Sequence, residues 1–179
     1  MEGLNNFINY LRKERHDFMN DIQVIYGYIQ LERNKEAKQY IQKIVEKNSC
    51  ISRVYALGNE YFGFLIEENL KKFLNKGIKV ELHIEIDGFL KTTFQKDYNK
   101  KRILVNNIFN EVENYKSDFV YIYIFEDELG ESLFIANKES LVDELDWIEE
   151  WEQIYSEETY IKIHKYNYDK NFAYRLTFT

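Results

Sequence analysis

The sequence predicts an α+β fold in two parts: an antiparallel helical hairpin over residues 1–58, followed by an α/β sandwich over residues 59–179. Three observations carry this. Apolar residues recur in alternating steps of four and three through Leu4, Ile8, Leu11, Phe18, Ile22, Ile25 and Ile29, with Arg15 at the one polar position of that seam. The same alternation returns at Ala37, Ile41, Ile44, Asn48, Ile51 and Tyr55. Beyond Gly58 the period changes, and short helical patterns are interleaved with runs of strict alternation.

Taken in order, residues 4–31 form the first helix, and no proline interrupts it because the chain contains none. The polar group Glu32-Arg33-Asn34-Lys35 breaks the pattern, and the second helix runs on toward Gly58, a suitable stop. Two long helices joined by so few residues make an antiparallel hairpin. Phe7, Val24 and Tyr28 leave a second apolar edge beside the seam, so two copies are expected to pair as a dimeric four-helix bundle. Residues 60–74 then read as a third helix and 78–86 as a half-buried strand; residues 99–115 are helical, and 119–125 and 132–136 are strands around a turn ending at Gly130. An acidic helix is expected over Leu141–Tyr155, and strands 160–166 and 172–178 close the domain. The sheet is antiparallel or mixed, with helices on one side.

A chain of 179 residues with 45% hydrophobic and 17% aromatic content is folded, not disordered. No apolar run approaches the ~18 residues that span a bilayer, and the start lacks a basic segment leading into an apolar one, so no membrane association and a cytoplasmic location are expected. The lone Cys50 has no zinc-type spacing to His16, His83 or His164, which leaves it as a reduced, packed thiol. A net charge of −7 argues against nucleic acid as the partner. His83 and His164 fall on the outward faces of alternating strands and read as surface residues. Asn48 reads as a register-fixing polar group. The carboxylates Glu139, Asp143, Glu144, Asp146, Glu149, Glu150, Glu152, Glu157 and Glu158 read as a solvated face that requires no metal.

His16 is the candidate reactive residue. It follows a seam position, so it is turned about 100° from Arg15 and faces solvent. Leu11-Arg12, then Arg15-His16-Asp17-Phe18-Met19-Asn20, then Ile22-Gln23, Ile25, Gly27 and Ile29-Gln30-Leu31 resemble the phosphoacceptor helix of the sporulation initiation phosphotransferase B family and of the sensor kinases that share its hairpin. The resemblance is dense over about twenty residues and loose over the rest of the hairpin. It implies a dimeric four-helix bundle with one phosphorylatable histidine per chain, followed by a domain shaped like a degenerate histidine-kinase ATPase domain. An exposed histidine among charges is ordinarily a solvated surface residue; the motif is what singles out His16.

The chemistry suits such a role. A histidine nucleophile must be neutral, and an ordinary imidazole, with a pKa of about 6.5, is largely so at neutral pH. Arg12, one turn back, can neutralise a phosphoryl group, Asp17 can orient the ring, and Asn20 can hold the incoming oxygens. Arg15 is the fourth supporting residue, with register-setting as its alternative role. Asn9, Lys13, Met19 and Gln23 form a polar ridge on the same side of the helix, with Gly27 beyond it, and read as a docking face for response-regulator receiver domains.

In the second domain, Asn106-Asn107-Ile108-Phe109-Asn110-Glu111 keeps an echo of the magnesium-holding helix that the resemblance implies. Phe134-Ile135-Ala136-Asn137-Lys138-Glu139 stands where an aspartate-glycine turn belongs, and no glycine follows Gly130. A phosphate-cradling loop needs positive φ and close backbone approach, which side chains with a Cβ resist. The expectation is therefore a histidine phosphotransferase that uses no ATP and holds no cofactor or metal of its own, with Mg2+ supplied by the regulator. Two alternatives stay open: a non-catalytic dimeric module that binds a regulator or kinase, and an autokinase with an unusual nucleotide site.

Overall fold

The computed structural model describes residues 2–89, 94–156 and 160–178. The expected Glu157 and Glu158 therefore lie outside the described residues. The chain divides into two compact units, Met1–Ser49 and Cys50–Thr179.

In the first unit, α1 (Glu2–Gln30) and most of α2 (Asn34–Tyr55) form the hairpin. Its turn is a Schellman-type stop: Glu32 takes the left-handed conformation at φ 56°, Glu32 N–H donates to the Ile29 carbonyl, and Arg33 N–H donates to the Tyr28 carbonyl. Arg33 then carries the chain into α2, lying 5.4 Å over the Tyr28 ring and bonded through Nε to Glu36 at 2.8 Å. The covered side of α1 runs through the half-buried Tyr10, Glu14, Asp21, Ile25 and Tyr28, facing buried Ala37 and half-buried Tyr40 and Ile44. The Tyr40 hydroxyl donates to Asp21 Oδ1 at 2.7 Å, and the Tyr28 and Tyr40 rings meet at 6.3 Å.

This corrects the expectation for the seam. Leu4, Leu11, Phe18, Ile22 and Ile29 are exposed, between 45% and 62%, because the face that meets α2 lies about one residue, or 100°, around the helix. Tyr28, expected on the leftover edge, belongs instead to the covered side. Among the described residues no helix is long and apolar enough to cross a membrane.

The second unit is α3 (Glu60–Asn75), β1 (Lys79–Ile84), α4 (Tyr98–Asn114), β2 (Phe119–Asp127), β3 (Gly130–Ala136), a 3-10 segment (Glu139–Glu150), β4 (Glu152–Ser156), β5 (Ile161–Tyr168) and β6 (Asn171–Phe178). Asn59 caps α3 by accepting from Phe62 N–H at 3.0 Å, and Gly77, at φ 77°, ends its overrun. The six strands form one mixed sheet in the order β1-β2-β3-β6-β5-β4. β1 and β2 are parallel neighbours, a pairing that needs a crossover, and α4 supplies it. All other pairs are antiparallel.

One sheet face, through Ile122, Leu133, Ile163 and Leu176, packs on Leu65, Leu70, Val105 and Phe109 of α3 and α4. The opposite face is covered as well. Tyr121, Phe125, Phe134 and Ala173 pack against Leu141 and Trp151, which explains why β2, β3 and β6 read as nearly continuous apolar runs.

Three expectations are corrected here. Leu141–Tyr155 is not one α-helix: Val142, Leu145, Ile148 and Trp151 recur at intervals of three, the period of a 3-10 helix, and all four pack on the sheet. From Glu152 the chain becomes an edge strand paired with β5. Helices are consequently not confined to one side of the sheet. His164, expected at the surface, is buried at 6% exposure on the second face.

His164 lies in a polar seam on that face. Gln153 Nε2 is 3.0 Å from His164 Nε2, and Arg175, its cross-strand neighbour, is 2% exposed. Arg175 donates to Asp127 at 2.6 Å and to the hydroxyls of Ser132 and Thr177, while its guanidinium sits 4.9 Å over Phe125. Burial would raise the Asp127 carboxyl, but the bond and charge of Arg175 outweigh it and hold it low. At the other end of β6, Asn137 Nδ2 donates to the Lys170 carbonyl at 2.8 Å, and its Oδ1 accepts from Phe172 N–H at 3.1 Å.

Two outcomes are expected. Burial, followed by the charges of Arg175 and Lys162, holds the His164 imidazole below its ordinary value. An unfolded histidine titrates near ~6.5. The unfolded chain thus binds the extra proton in the window between that pH and the lower folded value. Stability from this group is full above the window and falls as pH drops through it. Urea midpoints measured at pH 7.5 and 5.5 will show that loss, and His164→Gln will reduce it; an equal loss in the variant contradicts the assignment. Asn137→Ala removes both bonds to the β6 entry and lowers stability by about 1–2 kcal/mol in the same urea assay.

Candidate functional site

α1 places His16 on its surface because nothing on α2 reaches that side of the helix: the His16 side chain is 73% exposed and that of Asp17 50%. Asn9, Arg12, Lys13, Met19, Asn20 and Gln23 are exposed with it, at separations of three, four and seven residues that keep them on one stripe. Arg15 is exposed too, beside the apolar seam. Gly27 is half-buried, and a Cβ added there would meet nothing within 4 Å, so the fold of this chain makes no demand for glycine at that position.

Two side chains converge on one ring nitrogen. Asn20 Nδ2 is 3.1 Å from His16 Nδ1, and Asp17 Oδ1 is 3.5 Å from the same atom. Carbon-bound N and O of an amide are interchangeable by rotation, so Asn20 can present either a donor or an acceptor there. With the proton on Nδ1, shared toward Asp17 and the Asn20 oxygen, Nε2 carries a lone pair directed at solvent. With the proton on Nε2, Asn20 donates to Nδ1. Arg12 and Lys13, a turn toward the amino terminus, bring positive charge to the same stripe.

Spacing along α1 offers no sign of the tie between Asp21 and Tyr40, because its partners are nineteen residues apart and on different helices. The bond to Asp21, aided by burial, pushes the Tyr40 phenol up to about 12, so it remains a donor at any ordinary pH. It fixes α2 against α1 just beyond Asn20.

In the second unit, the segment Asn106–Glu111 on α4 is partly engaged within the fold. Asn106 Oδ1 accepts from Asn69 Nδ2 at 2.7 Å, and Asn69, fully buried, also donates to the Leu65 carbonyl at 2.8 Å. Glu111 is bound by Lys165 at 2.6 Å, whereas Asn107 and Asn110 are exposed. Asn137, in the stretch Phe134–Glu139, bonds to the main chain of Lys170 and Phe172 and so ties the end of β3 to the start of β6. Among the described residues, no group of three His, Cys, Asp or Glu is placed to hold a metal ion.

Comparison with known proteins bears on the hairpin. The family model described as "Sensor_kinase_SpoOB-type, alpha-helical domain" matches residues 1–57, about a third of the chain. No curated protein matches the chain. The matched span contains His16 and its whole ridge, and it ends two residues after α2. Over residues 1–57 the hairpin of this chain is thus similar to the Sensor_kinase_SpoOB-type alpha-helical domain, which supports a relation to the sporulation initiation phosphotransferase B and histidine-kinase-like family.

Proposed function

We propose that the chain is a phosphorelay phosphotransferase that moves a phosphoryl group between response-regulator aspartates through a phosphohistidine at His16. The observation that carries this reading is the solvent-facing His16, with Nδ1 held by Asn20 and Asp17, on a hairpin of the SpoOB-type domain family. In the reactive tautomer, Nδ1–H points to Asp17 and the Nε2 lone pair attacks the phosphorus of a receiver-domain acyl phosphate. The P–O bond to the aspartate breaks, the carboxylate leaves, and the ring carries positive charge that Asp17 offsets. A second regulator's carboxylate reverses the step by breaking the P–N bond. No proton has to be gained or lost in either direction. Catalysis is by positioning: Arg12 balances the phosphoryl charge, while Asn9, Lys13, Met19, Gln23 and Gly27 seat the receiver domain, which brings its own Mg2+.

The exposed apolar seam supports a homodimer. Leu4, Leu11, Phe18, Ile22 and Ile29 are one surface of α1, and full burial of each such side chain is worth about 1.5–3 kcal/mol, so pairing of two hairpins along it has a sizeable driving force. The second unit takes no part in ATP chemistry in this reading. Asn106 and Glu111 are engaged within the fold, Asn137 serves as a strand lock, and no glycine after Gly130 is available to open a phosphate-cradling turn, so the residues present do not fit a triphosphate.

The test is transfer from a response regulator preloaded with labelled phosphate on its aspartate. Acid-labile label is expected on this chain, none on His16→Ala, and none from ATP alone. Stable binding to a regulator with no label transferred, and equal binding by His16→Ala, would instead assign a non-catalytic docking module.

A further inference from the structure

Away from α1, the second sheet face carries a cleft of about 270 Å3 between the 3-10 segment and the end of β5. Its walls are aromatic and acidic: Glu144, Trp147, Glu150 and Trp151 on one side, Tyr166 and Tyr168 on the other. These are the chain's only two tryptophans. Trp147 is 63% exposed and Tyr168 70%, so large rings stand open to solvent at the mouth. Trp151 differs: it packs 5.3 Å from Tyr166 at the floor, is 94% buried by its 6% exposure, and its indole N–H has no hydrogen-bond acceptor among the described residues. A buried donor without an acceptor is costly and is usually matched by something.

Two further features define what would fit. Pairing with β4 begins at Glu152–Lys165, so the main chain of Tyr166–Tyr168 runs past it as a free edge on that side, paired only with β6. Such an edge offers unpaired N–H and C=O groups to an extended polypeptide. The one cation lining the cleft, Lys165, is already spent elsewhere: its ammonium is bound to Glu111 at 2.6 Å and lies 5.6 Å from the centre of the Tyr174 ring, on the opposite face. The carboxylates of Glu144 and Glu150 are therefore not balanced from within the cleft.

We infer that this cleft takes an arginine side chain from an extended segment of a partner protein, laid along the free edge of β5. A planar guanidinium stacks on Trp and Tyr faces and forms paired bonds with carboxylates, which is the chemistry these walls present. The β5 edge supplies main-chain partners to the same segment. The volume admits one such side chain and its adjoining backbone, not a folded element. The surface is separate from the His16 ridge in sequence and does not depend on phosphotransfer.

Because both tryptophans line the cleft, intrinsic fluorescence of the full chain reads its occupancy directly. Titration with acetyl-Gly-Arg-Gly-amide should give a saturable change. The citrulline peptide, which keeps the shape and loses the charge, should bind about tenfold or more weakly, in line with the ~1.5–3 kcal/mol of a charged hydrogen bond. The double variant Glu144→Gln/Glu150→Gln should lose the response to the same degree, whereas Glu126→Gln/Glu128→Gln, at the exposed β2–β3 turn, should keep it. Equal responses to arginine and citrulline peptides, equal losses in both double variants, or no saturation would overturn the inference. Free arginine binding as tightly as the peptide would overturn it too, by assigning the cleft to a small cationic ligand.

Discussion

The arrangement of this chain turns on the 100° offset between two stripes of α1. One stripe, through Tyr10, Glu14, Asp21, Ile25 and Tyr28, is largely polar or aromatic and meets α2; the other, through Leu4, Leu11, Phe18, Ile22 and Ile29, is apolar and exposed. A hairpin held by the richer stripe would spend its hydrophobic surface internally. Holding it by the poorer one, with Tyr40 bonded to Asp21, keeps the apolar seam available. Contiguous exposed apolar surface on this scale is a mark of an interaction face. It is also why His16, next to the seam and turned away from α2, sits at the edge of any surface built on that face.

The second unit solves the opposite problem. Its sheet is covered on both faces, by α3 and α4 on one and by the 3-10 segment on the other, so β2, β3 and β6 can be apolar almost throughout. Several of the polar groups that remain inside are tied in place: Arg175 to Asp127, Ser132 and Thr177, Asn69 to Asn106, and Asn137 to the start of β6.

Much of this was legible in the residues. The hairpin, α3, β1 and α4 follow from heptad spacing, from Gly58 and Gly77 as stops, and from the strict alternation of residues 78–86. His16 stood out because His-Asp-Phe-Met-Asn followed by Gln and Gly is far more specific than a histidine beside an acid. Which side of α1 faces α2 was not legible, because hydrophobicity favours the seam while the decisive contact is a hydrogen bond between Asp21 and Tyr40, nineteen residues apart. The 3-10 segment reads as an α-helix because steps of three and four look alike over one or two turns; only the sustained run Val142, Leu145, Ile148, Trp151 separates them. The burial of His164 is hidden in the sequence for a related reason. Alternation locates the second face of a sheet but does not say that Gln153 and Arg175 close over it.

The measurement that bears most directly on the central claim is the mass of the protein in solution, by sedimentation equilibrium, for the native chain and for Ile22→Glu. Pairing along the exposed seam requires about twice the chain mass of 21.8 kDa for the native protein and a shift toward single chains for the variant, with the secondary structure of both unchanged by circular dichroism. A native protein that stays at single-chain mass at every concentration, or a variant that dimerises as well as the parent, would contradict it.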